Sequence, residues 1–134
     1  MAADGPAIAA ESVAMAMILI LEDDPFILQL AELLLADQGH ETLSASDRAE
    51  ALTHLKSGLH IDLLFSDVRL NNSILGGLEL ARTAVELRPG LRVLYASGAP
   101  MTDETTAMLV EGGQFLRKPY GDNDLQNAVN ALLH

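Results

Sequence analysis

Met17-Ile18-Leu19-Ile20-Leu21-Glu22-Asp23-Asp24-Pro25 is the stretch that decides the fold. Its first five residues form an unbroken apolar run, short and rich in branched side chains, which suits a strand covered on both faces. Three acids stop it. Asp24-Pro25 then reads as a helix N-cap and first helical residue: a carboxylate that accepts orphan N–H groups, and a proline whose missing N–H costs nothing there. Ile27, Leu30 and Leu34 follow at helical spacing, and Gly39 ends the pattern.

Working outward, the same strand-then-helix phrase recurs. Glu41 to Ala45 reads as a second strand, and Ser46 is placed to cap a helix carrying Ala49, Leu52 and Leu55. Ile61 to Ser66 is the next long apolar run and delivers Asp67 at its carboxyl end. A polar loop, Asn71-Asn72-Ser73, leads to Gly76-Gly77 and a helix from Leu78 to about Arg88. Leu91 to Ala96 is another buried strand, followed by Ser97-Gly98. Thr102-Asp103-Glu104 opens a short helix with acids at its positive end. Gln114 to Arg117 is a last strand, and the final helix sets Leu125, Ala128, Val129 and Leu132 on one face. Such alternation predicts an α/β fold, a parallel sheet with helices on both faces. The ligand crevice of such a sheet lies beyond the carboxyl ends of its strands.

Composition narrows the function. The chain has 134 residues, enough for one core, with 19 acids against 8 bases and a formal net charge of −11. Nine of those acids precede Arg48, the first basic residue. This field repels nucleic acid and anionic membranes and suits a divalent cation or a basic partner. Without cysteine there are no disulfides, thiolate metal sites or Cys catalysis. No apolar run is long enough to span a bilayer. We expect a cytoplasmic protein with residues 1–16 as a flexible tail and residues 17–134 as one domain. His40, His54, His60 and His134 show no ligand spacing and are read as surface residues.

The chemistry gathers at strand ends. Glu22 and Asp23 follow the first strand and Asp67 the third. If those strands are neighbours, three carboxylates converge, repel and raise one another's pKa unless a cation compensates. A hard ion such as Mg²⁺, which keeps waters and leaves room for a phosphate oxygen, answers that need. Lys118, after the fifth strand, supplies a point charge for phosphate. A carboxylate nucleophile with metal and lysine stabilisation suits phosphoryl transfer.

The segments Ile18 to Pro25, Asp62 to Asp67 and Phe115-Leu116-Arg117-Lys118-Pro119-Tyr120 are together similar to the three signature stretches of bacterial response-regulator receiver domains, over roughly residues 17–133. The resemblance implies a doubly wound, flavodoxin-like sheet of order 2-1-3-4-5. It implies Asp67 as phosphoacceptor, Asp23 as direct Mg²⁺ ligand, Glu22 as a ligand through water and the main-chain carbonyl of Arg69 as a third protein ligand. Lys118 would pair with a phosphoryl oxygen, Pro119 would follow a cis peptide, and Phe115 would be the aromatic that turns inward on activation. Such a domain promotes its own phosphoryl uptake and loss and is not a turnover enzyme. A sensor histidine kinase or phosphotransfer protein would be the donor. A stand-alone receiver would signal to a downstream protein through residues 102–133.

Two departures stand out. Counting back from Lys118 by the family's usual interval puts Ala96 where a Thr or Ser normally ends the fourth strand, with Ser97 next. Ala96 cannot hydrogen-bond a phosphoryl oxygen, so a phosphate-independent pseudo-receiver is the alternative function. The loop after Asp67 is also longer than usual. An aspartyl phosphohydrolase of the haloacid-dehalogenase type is disfavoured because Arg69 stands where it needs a second Asp. A dinucleotide fold is disfavoured because no G-x-G-x-x-G follows the first strand.

Overall fold

The computed structural model describes residues 16–70, 73 and 75–134. The expected tail and Asn71-Asn72 therefore lie outside the described residues, Ala16 excepted. Five strands, β1 (Met17–Leu21), β2 (Glu41–Ala45), β3 (Leu63–Asp67), β4 (Arg92–Ser97) and β5 (Gln114–Arg117), alternate with α1 (Pro25–Asp37), α2 (Arg48–Leu55), α3 (Gly76–Leu87), α4 (Asp103–Ala107) and α5 (Asp122–Leu133). All strand pairs are parallel, in the order β2-β1-β3-β4-β5. The predicted doubly wound sheet is the one observed.

Strand alternation divides the core into two layers. Ile18 and Ile20 of β1, Leu63 and Phe65 of β3, and Leu94 and Ala96 of β4 pack under α1 and α5, against Ala31, Leu35, Leu125 and Val129. Leu19, Leu21, Leu64, Val93 and Tyr95 face the other way, against Ala51 and Leu55 of α2 and Leu78, Ala81 and Ala84 of α3. Being covered on both sides, the central strands carry no polar face, which is why their runs are continuous.

Asp24 caps α1 as expected, its Oδ1 accepting from the N–H groups of Phe26 at 2.9 Å and Ile27 at 3.4 Å. Three local expectations change. Asp47, not Ser46, caps α2, accepting from Glu50 N–H at 2.8 Å; the Glu50 carboxylate reaches back and binds Ser46 instead. The buried face of α1 runs through Ala31 and Leu35, while Leu30 is exposed together with Phe26 and Leu33. That helix is apolar nearly all round, so spacing alone singles out no face. His40 is buried rather than on the surface, because its Nδ1 accepts the N–H of Ala16 at 3.1 Å.

Candidate functional site

The first parallel pair, β1 and β3, ends with Leu21 in register with Ser66. The chain turns immediately beyond, so Glu22, Asp23 and Asp67 share one sheet edge. One carboxylate oxygen from each lies within 4.8 Å of the others. Glu22 is buried, and its Oε2 accepts the N–H of Asp24 at 3.1 Å. Asp67 closes β3 with its side chain only 11% exposed.

Lys118 enters from β5. Its backbone N–H donates to Ser97 O at 2.9 Å, and the Lys118–Pro119 peptide is cis, as anticipated from sequence. The ammonium sits 2.7 Å from Glu22 Oε1 and 3.4 Å from Asp67 Oδ2. Burial alone would lower its pKa, but its bonds and charge attraction to the two acids outweigh that and hold it above the usual lysine value. Burial pushes the Glu22 and Asp67 carboxyls up, against the pull of Lys118; Asp67 is also drawn down by the N–H of Arg69 and raised by the charge of Asp23. One ammonium thus faces three carboxylates, and the surplus negative charge is what a hard divalent cation would neutralise. The all-oxygen donor set fits Mg²⁺.

An open pocket of about 380 Å³ lies over Asp67, lined by Arg69, Ser97, Gly98, Ala99 and Lys118. Here the structure separates the two candidate switch residues, Ala96 and Ser97. Ala96 is the register partner of Asp67, yet its side chain points into the layer with Ile20, Phe65 and Leu94. Tyr95 and, by alternation, Ser97 belong to the opposite face, and Ser97 is the hydroxyl residue in the pocket. Its Oγ accepts the N–H of Ala99 at 3.1 Å. Phe115 lies in register with Tyr95, half-buried against the same core layer, and is not part of the pocket lining.

Two residues at the site had no role assigned from sequence. A Cβ on Gly77 would stand 1.8 Å from Asp67 O and 2.9 Å from Val68 Cα, so α3 begins in direct backbone contact with the end of β3. The glycine pair after a polar loop was the legible signal. Tyr120 packs on Phe65, ring centroids 5.7 Å apart, and its hydroxyl pKa is pushed up to about 12, first by burial and then by the charges of Glu22 and Asp67.

Residues 18–130 match the family described as the response regulator receiver domain, and the chain belongs to that family. Curated relatives include the transcriptional regulatory protein GlrR of Escherichia coli, 29% identical over 88% of this chain and 26% of its own length. The CAI-1 autoinducer sensor kinase/phosphatase CqsS of Vibrio cholerae is 38% identical over 85% of this chain and 17% of its own. Among solved structures, the response regulator receiver protein of Sinorhizobium medicae aligns with a TM-score of 0.80 at 31% identity, covering 90% of this chain and 96% of that one. The receiver domain protein of Clostridium thermocellum gives 0.79 at 30%, covering 89% and 94%. The chain spans about a quarter of the length of the first curated relatives it matches. The family is a signalling domain of two-component systems that interacts with histidine kinases.

Proposed function

We propose that this chain accepts a phosphoryl group on Asp67. The observation that carries the reading is the joint placement of Glu22, Asp23 and Asp67 within 4.8 Å, with the Lys118 ammonium 3.4 Å from Asp67. In the transfer an Asp67 oxygen bonds to phosphorus, the bond from phosphorus to a donor histidine nitrogen breaks, and its electron pair returns to the imidazole. Lys118, already held between Glu22 and Asp67, takes one phosphoryl oxygen, and Ser97 Oγ turns from Ala99 to donate to another. Glu22, Asp23, Asp67 and the carbonyl of Arg69 would hold Mg²⁺, which when bound neutralises charge on the phosphoryl oxygens.

The donor is a sensor histidine kinase or a phosphotransfer protein, and the downstream partner is a protein engaged through residues 102–133. The net charge of −11 supports protein partners over nucleic acid or membrane, and no described helix is long and apolar enough to cross a membrane. We place the protein in the cytoplasm. The pseudo-receiver alternative was motivated by Ala96. With Ser97 supplying a hydroxyl in the pocket, the phosphate-dependent reading is preferred. Incubation with acetyl phosphate and Mg²⁺ should label the wild-type chain and leave Asp67→Asn unlabelled; equal labelling of the variant would sink the assignment.

A further inference from the structure

The sheet edge opposite the acceptor holds a second cluster of titratable side chains, where the chain enters β1. Ala16 and Met17 lie there in succession, and a strand between two others needs partners for its N–H groups on both flanks. Neither neighbour offers a strand carbonyl at this level, because β2 starts only at Glu41 and β3 at Leu63. Side chains take over. On the β2 flank, His40 Nδ1 accepts the Ala16 N–H at 3.1 Å; on the β3 flank, Asp62 Oδ2 accepts the Met17 N–H at 2.8 Å. The carbonyls of the same two residues complete the pattern, Ala16 O accepting from Glu41 N–H at 3.0 Å and Met17 O from Asp62 N–H at 2.9 Å. His40 and Asp62 thus extend the parallel ladder by a step on each side of β1.

The two acceptors respond differently to acid. A ring nitrogen accepts only through its unprotonated lone pair, so His40 holds Ala16 as the neutral tautomer with its proton on Nε2. A proton added from solvent to Nδ1 turns that acceptor into a donor, and two N–H groups then face each other. A carboxyl, by contrast, keeps acceptor capacity whether or not it carries a proton. His60 Nε2 binds the other Asp62 oxygen, Oδ1, at 2.7 Å and so does not compete with Met17. The His40 backbone is fixed at the end of α1, where Gly39 takes a left-handed φ of 94° and His40 N–H returns to Leu35 O at 3.0 Å. The charge that acts on the buried ring is that of Asp62, with exposed His60 beyond it. Asp37 at the end of α1 and Glu41 at the start of β2 are both exposed, and β1 carries no charged residue. Burial outweighs the pull of Asp62 and favours the neutral, accepting ring.

We propose that His40 and Asp62 clasp the first step of β1, and that protonation of His40 releases Ala16 while Met17 stays held. The clasp is a conformational device set by pH. With both flanks bonded, the entry to the sheet is rigid; with the β2 flank lost, Ala16 hinges on Met17. The clasp lies at the opposite end of β1 from Glu22 and Asp23, so it governs the joint at which the chain enters the domain, and it stands independently of the phosphoacceptor reading.

The test follows the full chain by NMR. Long-range ¹H–¹⁵N correlation at neutral pH should show the His40 ring with its proton on Nε2; a proton on Nδ1 there overturns the proposal. On acidification, protection of the Ala16 amide against hydrogen exchange, corrected for the intrinsic effect of pH, should fall by about tenfold, the order of one lost hydrogen bond. The fall should share the midpoint of the His40 ring titration, and Met17 should keep its protection over the same range. In His40→Asn, whose side-chain oxygen can accept in place of Nδ1 whatever the pH, Ala16 should stay protected throughout. His60→Ala should respond as wild type, because its ring takes no part in holding Ala16. An Ala16 amide that stays protected across the His40 titration overturns the proposal, as does a loss that Met17 shares or that disappears in His60→Ala. If His40→Asn does not fold, the comparison of Ala16 with Met17 in the wild type decides alone.

Discussion

Gly77→Ala puts the smallest possible side chain where α3 meets the end of β3. The added carbon would lie 1.8 Å from Asp67 O, 2.8 Å from Asp67 C and 2.9 Å from Val68 Cα, whereas real Cβ atoms essentially never come closer than 3.0 Å. The atoms in the way are backbone, so no rotamer change relieves the overlap. Helix and strand end must separate by roughly 1.2 Å, the difference between those distances. They are also tied by the Gly77 N–H to Val68 O bond of 2.8 Å, which the separation stretches. Overpacking of this kind costs about 1–3 kcal/mol. Alanine's better helix propensity returns only about 0.5–1 kcal/mol. The larger effect falls on chemistry, because the displaced atoms belong to the acceptor itself. A misplacement of about 1 Å in a reacting group costs on the order of a hundredfold in rate. Label uptake from acetyl phosphate should therefore slow by about two orders of magnitude, with a modest fall in thermal midpoint. Gly58→Ala, where a Cβ meets nothing within 4 Å, is the matched control and should behave as wild type. Normal labelling by Gly77→Ala at an unchanged midpoint would refute the claim that this glycine holds the acceptor in place.

Ser97→Ala should still take label but bind BeF₃⁻ with Mg²⁺ about tenfold or more weakly, the loss of one charge-assisted hydrogen bond, as read by ¹⁹F NMR. Unchanged affinity would show that Ser97 does not supply the hydroxyl that Ala96 lacks. Tyr95→Phe removes the hydroxyl that accepts Val110 N–H at 3.0 Å; amide exchange at Val110 should speed up, with a stability loss of about 1 kcal/mol by urea titration. His40 gives a pH dependence whose sign is fixed. Burial holds its folded pKa below the ordinary 6.5, although the charge of Asp62 pulls it up. Its contribution is therefore fully present above pH 6.5 and is lost as pH falls from there through the folded value. Asp62, itself paired with His60 at 2.7 Å, is the charged group acting on the ring. The stability profile of His40→Gln should be flatter below pH 6.5, and a parallel profile would show that the ring's protonation does not matter.

Much of this architecture was legible because both its signals are local. Continuous apolar runs marked strands covered on two sides, and Asp24-Pro25 marked a helix start within two residues. The acidic pair, Asp67 and Lys118 could be joined before any coordinates because in a parallel sheet all strands end at the same edge. What resisted reading depended on relations that spacing does not encode. Ala96 and Ser97 are adjacent in sequence and on opposite sides of the sheet, and only register told them apart. The outward turn of Leu30 on α1 was hidden by a helix apolar on every side. His40 became a core residue because a backbone N–H twenty-four positions away required an acceptor. Gly77 is required by the space available to it, and its own chemistry gives no sign of that.

The chain contains no tryptophan and two tyrosines, so its near-ultraviolet emission comes from Tyr95 and Tyr120 alone. Tyr120 lies beside carboxylates, which quench a phenol by taking its proton in the excited state; Tyr95 is sealed beneath the Val110 turn. The protein therefore carries its own dye at the acidic pocket. A Tyr95→Phe chain would emit from Tyr120 only, and that emission should brighten when a cation draws the charge of Glu22 and Asp67 away. Cation occupancy could then be titrated in real time, without a label.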